Sequence, residues 1–343
     1  MIIKYIIAIL LFSAIILFHE LGHFLLAKAN GIRVNEFSLG LGPTIVGFTK
    51  GETKYSIKLL PFGGACMMEG EDSQSDDDRS FQKKSVWARI SVVAIFNFIM
   101  AFVLAVIILG NIGISTPTVA QVEDGYGAQT AGLQAGDEII KMNHKHIHFF
   151  KEISMYTLFH AGETVEVTYE RNGERHIVEV QPTYDEEQGR YRYGIDGSGE
   201  YTKVGPIKTL QYSVYEVKYW IQYTVGSLKM LLTRQVSVND LSGPVGIVKT
   251  IGDTYDMSKS DGAFYVWMNL LNLALLLSAN LGVMNLLPIP ALDGGRLVFL
   301  VIEAIRGKRV SEDKEGMVHF IGLLCLFGLM ILIMFNDIRK LIP

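Results

Sequence analysis

Four apolar runs decide most of what this chain can become. Ile2 to Ala29, Val92 to Ile114, Met268 to Ile289 and His319 to Phe335 approach or exceed the length a membrane-crossing helix needs, about 18 to 20 residues. In hydrocarbon every backbone N–H and C=O must be satisfied inside the protein, so such runs fold as helices. Of the 343 residues 49% are hydrophobic and only 19% charged, with a mean hydropathy of +0.28, more apolar than a soluble domain of this length. A polar stretch of domain size separates the second run from the third, so the plan is two helices, an inserted domain and two more helices. The first run is not a secretory signal: it is too long, charged groups interrupt it, and no small-x-small cleavage site follows.

Basic residues orient the spans. The loop after the first run carries Lys28, Arg33, Lys50, Lys54, Lys58, Arg79, Lys83, Lys84 and Arg89, and the loop before the last carries Arg296, Arg306, Lys308, Arg309 and Lys314. The positive-inside rule makes both loops cytoplasmic and both termini and the central domain extracytoplasmic, against a minor contrary pull from Arg339 and Lys340. A net charge of −4 argues against nucleic acid as a partner. Cys66 and Cys325 form neither a disulfide framework nor a CxxC metal pair.

Between residues 35 and 72 glycines punctuate an alternating stretch, Thr53 to Leu59, that breaks at Pro61-Phe62-Gly63-Gly64, the pattern of a small β-sheet beside the first helix. The acidic run that follows, Glu69, Glu71, Asp72, Asp76, Asp77 and Asp78, reads as a solvated loop. From about Thr116 to Gly197 the texture becomes that of a small α+β domain. Its run Ala128 to Asn143, AQTAGLQAGDEIIKMN, resembles the core signature of a PDZ domain. Tyr212, Tyr215, Tyr219, Trp220 and Tyr223 then mark an amphipathic helix suited to the outer membrane interface, or to packing. His144, His146 and His148 alternate as on one surface strand face. His160, His176 and His319 stand isolated.

Within the first run lies His19-Glu20-Leu21-Gly22-His23, an HExxH pattern. On a helix, positions i and i+4 share a face, so both imidazoles can grip one Zn²⁺ while the glutamate serves a bound, acidified water as general base. An ionised group at helix-centre depth costs about 2.5 to 3.5 kcal/mol, so three ionisable groups in five positions call for a compensating partner. The alternative leaves them hydrated at the cytoplasmic membrane edge. A second cluster argues against that: Asn285 to Arg296, NLLPIPALDGGR, where two prolines break the helix and Gly294-Gly295 frees the backbone. This cluster approaches the same membrane face, so Asp293 can meet the two histidines and supply the third protein ligand of a catalytic zinc.

The HExxH motif, the NLLPIPALDGG run with its lead-in Asn280 to Met284, the segment Leu241 to Ile247, and one PDZ-like domain between two helix pairs together resemble the site-2 protease family, in its bacterial RseP-like branch. The resemblance implies a membrane zinc metalloendopeptidase with one Zn²⁺ held by His19, His23 and Asp293, and Glu20 as general base. It implies that Asn285 holds the substrate backbone, although a helix–helix hydrogen-bonding role fits the residue as well. It also implies that the β-rich loop, with Gly63 and Gly64, binds an unwound substrate as an added strand. The chain departs from the family pattern at Ala65-Cys66-Met67-Met68, where an aromatic and a Lys-like residue are usual. It departs again at Ala94-Ile95-Phe96-Asn97, which lacks the usual Gly-Pro but keeps the asparagine.

The expected fold is a polytopic α-helical membrane protein of about four transmembrane helices, with a small membrane-associated β-sheet and an extracytoplasmic PDZ insertion. The expected layout is a first span at 1–30, a cytoplasmic-side β-rich loop at 31–85, a second span at 86–114 and a PDZ domain at 115–200. An interfacial helix and linker at 201–262, a third span with the LDG motif at 263–296, a connection at 297–316 and a fourth span at 317–338 complete it. The expected function is regulated intramembrane proteolysis of single-span membrane proteins in the bacterial cytoplasmic membrane. Its substrates would be anti-sigma-factor-like proteins or signal-peptide remnants, cut after an upstream site-1-type protease has acted outside. The PDZ domain would filter substrates by size or capture chain ends. The competing reading is a PDZ-bearing membrane scaffold with a structural metal.

Overall fold

The computed structural model describes residues 2–71, 75–92, 96–237 and 241–341. Asp72 of the acidic run, and Ala94 and Ile95 of the second span, lie outside the described residues. The chain forms two compact units, residues 1–104 with 234–343, and residues 105–233.

The first unit begins with α1 (Ile2–Ala29), an uninterrupted helix over the whole first run. Two long strands follow, β1 (Val34–Lys50) and β2 (Thr53–Met68). They are bent, so that Glu36, Phe37, Ser38 and Leu39 each have two cross-strand neighbours, one among residues 54–57 and one among 64–67. The expected break at Pro61–Gly64 is therefore a bend within β2, not its end. Helices α2 (Val86–Val92) and α3 (Phe96–Ile112) are the described parts of the expected second span. After the second unit come α7 (Pro244–Ser258), α8 (Ala263–Leu286), α9 (Asp293–Arg306) and α10 (Glu312–Leu341).

Among the described residues four helices are long and apolar enough to cross a membrane, within 3–29, 86–112, 263–286 and 313–340. The fourth extends at both ends beyond the apolar run His319–Phe335, because its polar flanks continue the helix. Phe320, Ile331, Leu332 and Phe335 on it are each more than half exposed. Water would penalise such a surface and lipid would not. Small side chains sit at the packing contacts of α1: its Ala8 meets Ile251, Leu270 and Leu273, and its Ile15 meets Met100 and the small Ala274 of α8. Small residues let backbones approach where lipid supplies no hydrophobic drive for association. Helix α9 is an addition to the expected layout: it packs Leu297 and Leu300 on Val86 and Ile90 of α2, and the buried Arg89 pairs with Glu303 at 3.0 Å.

The second unit holds β3 (Val119–Val122), α4 (Gly127–Thr130), β4 (Glu138–Met142), β5 (Lys145–His146), α5 (Phe150–Phe159), β6 (Val165–Arg171) and β7 (Glu174–Val180). It continues with β8 (Thr183–Asp185), β9 (Arg190–Arg192), β10 (Ile195–Gly197) and the long α6 (Pro206–Leu232). A four-stranded antiparallel sheet in the order β5-β4-β6-β7 and a β10-β3 pair enclose a core of Val119, Ile139, Met142, Ile153, Val165 and Val167. Asp137, of the glycine-rich signature, is buried and grips Arg171 at 2.6 Å. The aromatic stripe of α6 packs within this unit: Lys151 lies 4.4 Å from the Tyr219 ring centre, and Tyr215 stacks on His148 at 3.7 Å. The three alternating histidines do not share one strand face, because β5 ends at His146 and His148 turns onto α6.

Candidate metal centre

Helix α1 presents His19, Glu20 and His23 on one side. The two imidazole centres are 4.6 Å apart with planes at 80°. Gly22 lies between them in sequence because a Cβ there would come within 2.3 Å of the Phe96 Cβ, so glycine lets α1 touch α3 beside the site.

Asp293 arrives from the far end of the chain. Helix α8 stops at Leu286, residues 287–292 form a non-helical turn, and Asp293 is the first residue of α9. The two glycines after it serve close approach, not the backbone freedom the sequence suggested. A Cβ on Gly294 would lie 2.0 Å from the Leu287 carbonyl oxygen, and one on Gly295 2.6 Å from that of Ile289. The strained position is Ala291, whose φ is +74°. Its N–H donates to His319 Nδ1 at 2.9 Å, and Gly322, one turn further along α10, abuts Pro290. Arg296, one turn after Asp293, pairs with Glu71 at the end of the β-sheet segment.

The result is a triangle of ligand atoms. His19 Nε2 and His23 Nε2 are 3.2 Å apart, and Asp293 Oδ2 lies 3.4 and 3.3 Å from them. Tetrahedral zinc with bonds of about 2.0 to 2.1 Å spans ligand–ligand edges of about 3.3 to 3.4 Å. Asp293 Oδ2 is buried and makes no hydrogen bond among the described residues, which leaves its lone pairs for a cation. His23 Nδ1 lies 2.9 Å from the Val92 carbonyl oxygen, which can only accept. The ring proton therefore sits on Nδ1, and Nε2 keeps the lone pair a metal needs. Among the described residues this is the one cluster of three such groups able to hold a metal ion. The donor set and its spacing fit Zn²⁺.

The other expected site residues gather unequally. Asn285 is buried, with Nδ2 3.3 Å from His19 Nε2. A Cβ on Gly64 would lie 2.9 Å from Glu20 Cγ, so the end of β2 runs along the glutamate, and the Cys66 N–H bonds its carboxylate. Gly63 faces Leu41 instead and has a φ of +85°. Cys66 itself is no nucleophile: burial, with Glu20 and Glu71 nearby, pushes its thiol pKa far up. Sequence reasoning set His319 aside as isolated. The available signal was its position at the edge of an apolar run, where an ionisable group is costly.

Two histidines and a glutamate on one membrane-length helix, completed by an aspartate from a broken helix pair, define a membrane zinc metallopeptidase. The family model described as Peptidase family M50 matches residues 7–329. A Clostridium acetobutylicum protein bearing a zinc metalloprotease name is 40% identical, with 97% of this chain and 96% of that one covered. Zinc metalloprotease RasP of Geobacillus kaustophilus is 32% identical, and the regulator of sigma-W protease RasP of Bacillus subtilis 31%, each with 97% of both chains covered. A solved PDZ domain of an SdrC-like protein from Listeria monocytogenes aligns at 23% identity over 25% of this chain and 88% of its own, with a TM-score of 0.22. The chain belongs to peptidase family M50, the site-2 proteases. It is a membrane zinc metalloprotease, and the scaffold reading falls away.

Proposed function

We propose that this enzyme cuts single-span membrane proteins inside the bacterial cytoplasmic membrane, near its cytoplasmic side, after an upstream site-1-type protease has removed their outer part. His19, His23 and Asp293 hold one Zn²⁺, and Glu20 is the general base. The observation that carries this reading is the triangle of ligand atoms with 3.2–3.4 Å edges, beside a glutamate that lies against a strand end. Zinc, when bound, supplies the Lewis acidity that acidifies a water and polarises the scissile carbonyl. Glu20 takes the proton from the attacking water and returns it to the leaving amine.

A helical substrate must unwind before a peptide bond is exposed, and its freed backbone groups need partners. Residues 64–68 of β2 have one ladder neighbour among the described residues, the segment 34–39, which leaves their other edge for an added strand. Gly64 lies on this edge with Gly63 at the bend just before it, and the Asn285 amide steadies the substrate backbone near the reacting carbonyl. Four helices span the membrane, and the second unit is an extracytoplasmic PDZ domain that admits only trimmed substrates. The name of the Bacillus subtilis relative, a regulator of sigma-W protease, supports anti-sigma-factor-like substrates; signal-peptide remnants share the same single-span chemistry.

The test is Glu20→Gln expressed in the native host. The variant keeps its fold and its zinc, loses cleavage, and co-purifies with truncated membrane stubs. Cleavage at the parent rate by Glu20→Gln refutes the mechanism.

A further inference from the structure

We infer that Asn97 is a positioning residue that sets which nitrogen of His19 carries the proton, and so whether His19 can ligate the metal. This rests on the proposed ligand role of His19. Asn97 is fully buried, at 0% exposure, and its Nδ2 stands 3.2 Å from His19 Nδ1. Its Oδ1 is buried without a hydrogen-bond partner among the described residues. The backbone of Asn97 is held from α8, where the buried Ser278 hydroxyl donates to its carbonyl at 2.9 Å. Gly282 leaves room for its side chain, since a Cβ there would lie 3.2 Å from that of Asn97. The residue's backbone is thus anchored with its amide at the Nδ1 edge of the imidazole.

An amide presents either a donor or an acceptor to the same point, by a half-turn about its last bond. With Nδ2 towards the ring, His19 Nδ1 accepts and the ring proton lies on Nε2. That proton lies 3.4 Å from Asp293 Oδ2 but also faces the Asn285 amide nitrogen, 3.3 Å from Nε2, and the metal-facing lone pair is gone. With Oδ1 towards the ring, Nδ1–H donates to Asn97 and Nε2 offers its lone pair into the triangle. His23 has no such choice, because the Val92 carbonyl it meets accepts in every state. One ligand is therefore fixed by backbone and the other is set by a rotatable amide. A histidine ligand's outer partner orients the ring and raises its basicity, and its loss typically costs 10- to 100-fold in metal affinity.

The experiment measures zinc affinity of the full-length protein in detergent by competition with a chromogenic chelator, and records the visible bands of the cobalt(II)-loaded forms. Asn97→Leu, close in volume but without an acceptor, loses about 10- to 100-fold in zinc affinity while its elution profile and helical content stay those of the parent. Asn97→Asp, which keeps an acceptor and adds charge, binds zinc in the parent range and shifts the cobalt bands. Parent-like zinc affinity in Asn97→Leu overturns the inference, as does equal weakening in the Leu and Asp variants. Should Asn97→Leu fail to fold, the cobalt spectrum of Asn97→Asp decides alone, and bands identical to the parent's overturn it. His19→Ala separates the two levels: if it keeps parent zinc affinity the ligand reading itself fails, whereas zinc loss there with retention in Asn97→Leu sinks the Asn97 inference alone.

Discussion

Replacing Gly64 by alanine tests whether the strand end and the glutamate are one device. The added Cβ would stand 2.9 Å from Glu20 Cγ, 3.1 Å from the Ser38 carbonyl oxygen and 3.3 Å from Ile16 Cγ2. The first of these is about half an ångström short of ordinary van der Waals contact. Ser38 pairs with Ala65 in the ladder, so the strand cannot retreat without losing sheet hydrogen bonds, and Glu20 yields instead. A 1 Å misplacement at a reacting group can cost about 10²-fold, so half of that predicts roughly a tenfold loss of turnover, about 1.4 kcal/mol in the barrier. Zinc content stays at the parent level, because no ligand moves. The assay is cleavage of a single-span substrate by the detergent-solubilised enzyme, with zinc measured on the same sample. Gly51→Ala is the control: φ there is +64° with nothing within 4 Å, so it costs about 1 kcal/mol of stability and leaves turnover per folded molecule intact. Parent turnover in Gly64→Ala, or an equal loss in Gly51→Ala, refutes the reasoning.

The proposed metal ligands are tested by removal: Asp293→Asn releases zinc at a chelator concentration that leaves the parent loaded, and chelated parent regains cleavage when zinc is restored. Full occupancy and activity in Asp293→Asn would show that the third ligand lies elsewhere. His319→Leu leaves the Ala291 N–H without its acceptor in a backbone conformation already strained at φ +74°, and lowers stability by about 1 to 3 kcal/mol. Thermal unfolding checks it, and an unchanged midpoint counts against the α10 contact as a support of the turn. In the second unit, burial against Tyr215 holds the His148 pKa below its ordinary 6.5. The neutral ring's contribution to stability is full above that value and is lost as pH falls through the folded one. His148→Phe therefore flattens the acid limb of the stability–pH curve, and an unaltered limb refutes the assignment.

Much of this was legible in the linear chain, for identifiable reasons. A spanning helix satisfies its own backbone, so α1, α8 and α10 follow from local composition alone. The spacing of His19 and His23 is one helical turn, which needs no tertiary partner to interpret. Asp293 was legible because the two prolines just before it cannot continue a membrane helix. Less accessible were features that depend on neighbours distant in sequence. The bend of β2 past Pro61–Gly64 follows from the pairing of residues 64–67 with 36–39, which no local alternation encodes. Helix α9 begins at Asp293 although the prolines before it signal only a stop.

What the sequence by itself determined is the candidate chemistry: the types of the proposed ligands, the glutamate between them, and the membrane as the medium, because each depends on residue identity and short-range periodicity. What only the tertiary structure decided is which lone pairs face inward and what holds them there. His319 closing the Ala291 turn, Gly64 lying against Glu20, and Asn97 standing at the back of His19 are meetings across many residues of chain. Directed hydrogen bonds and close approaches of this kind exist only after packing has brought their partners within reach.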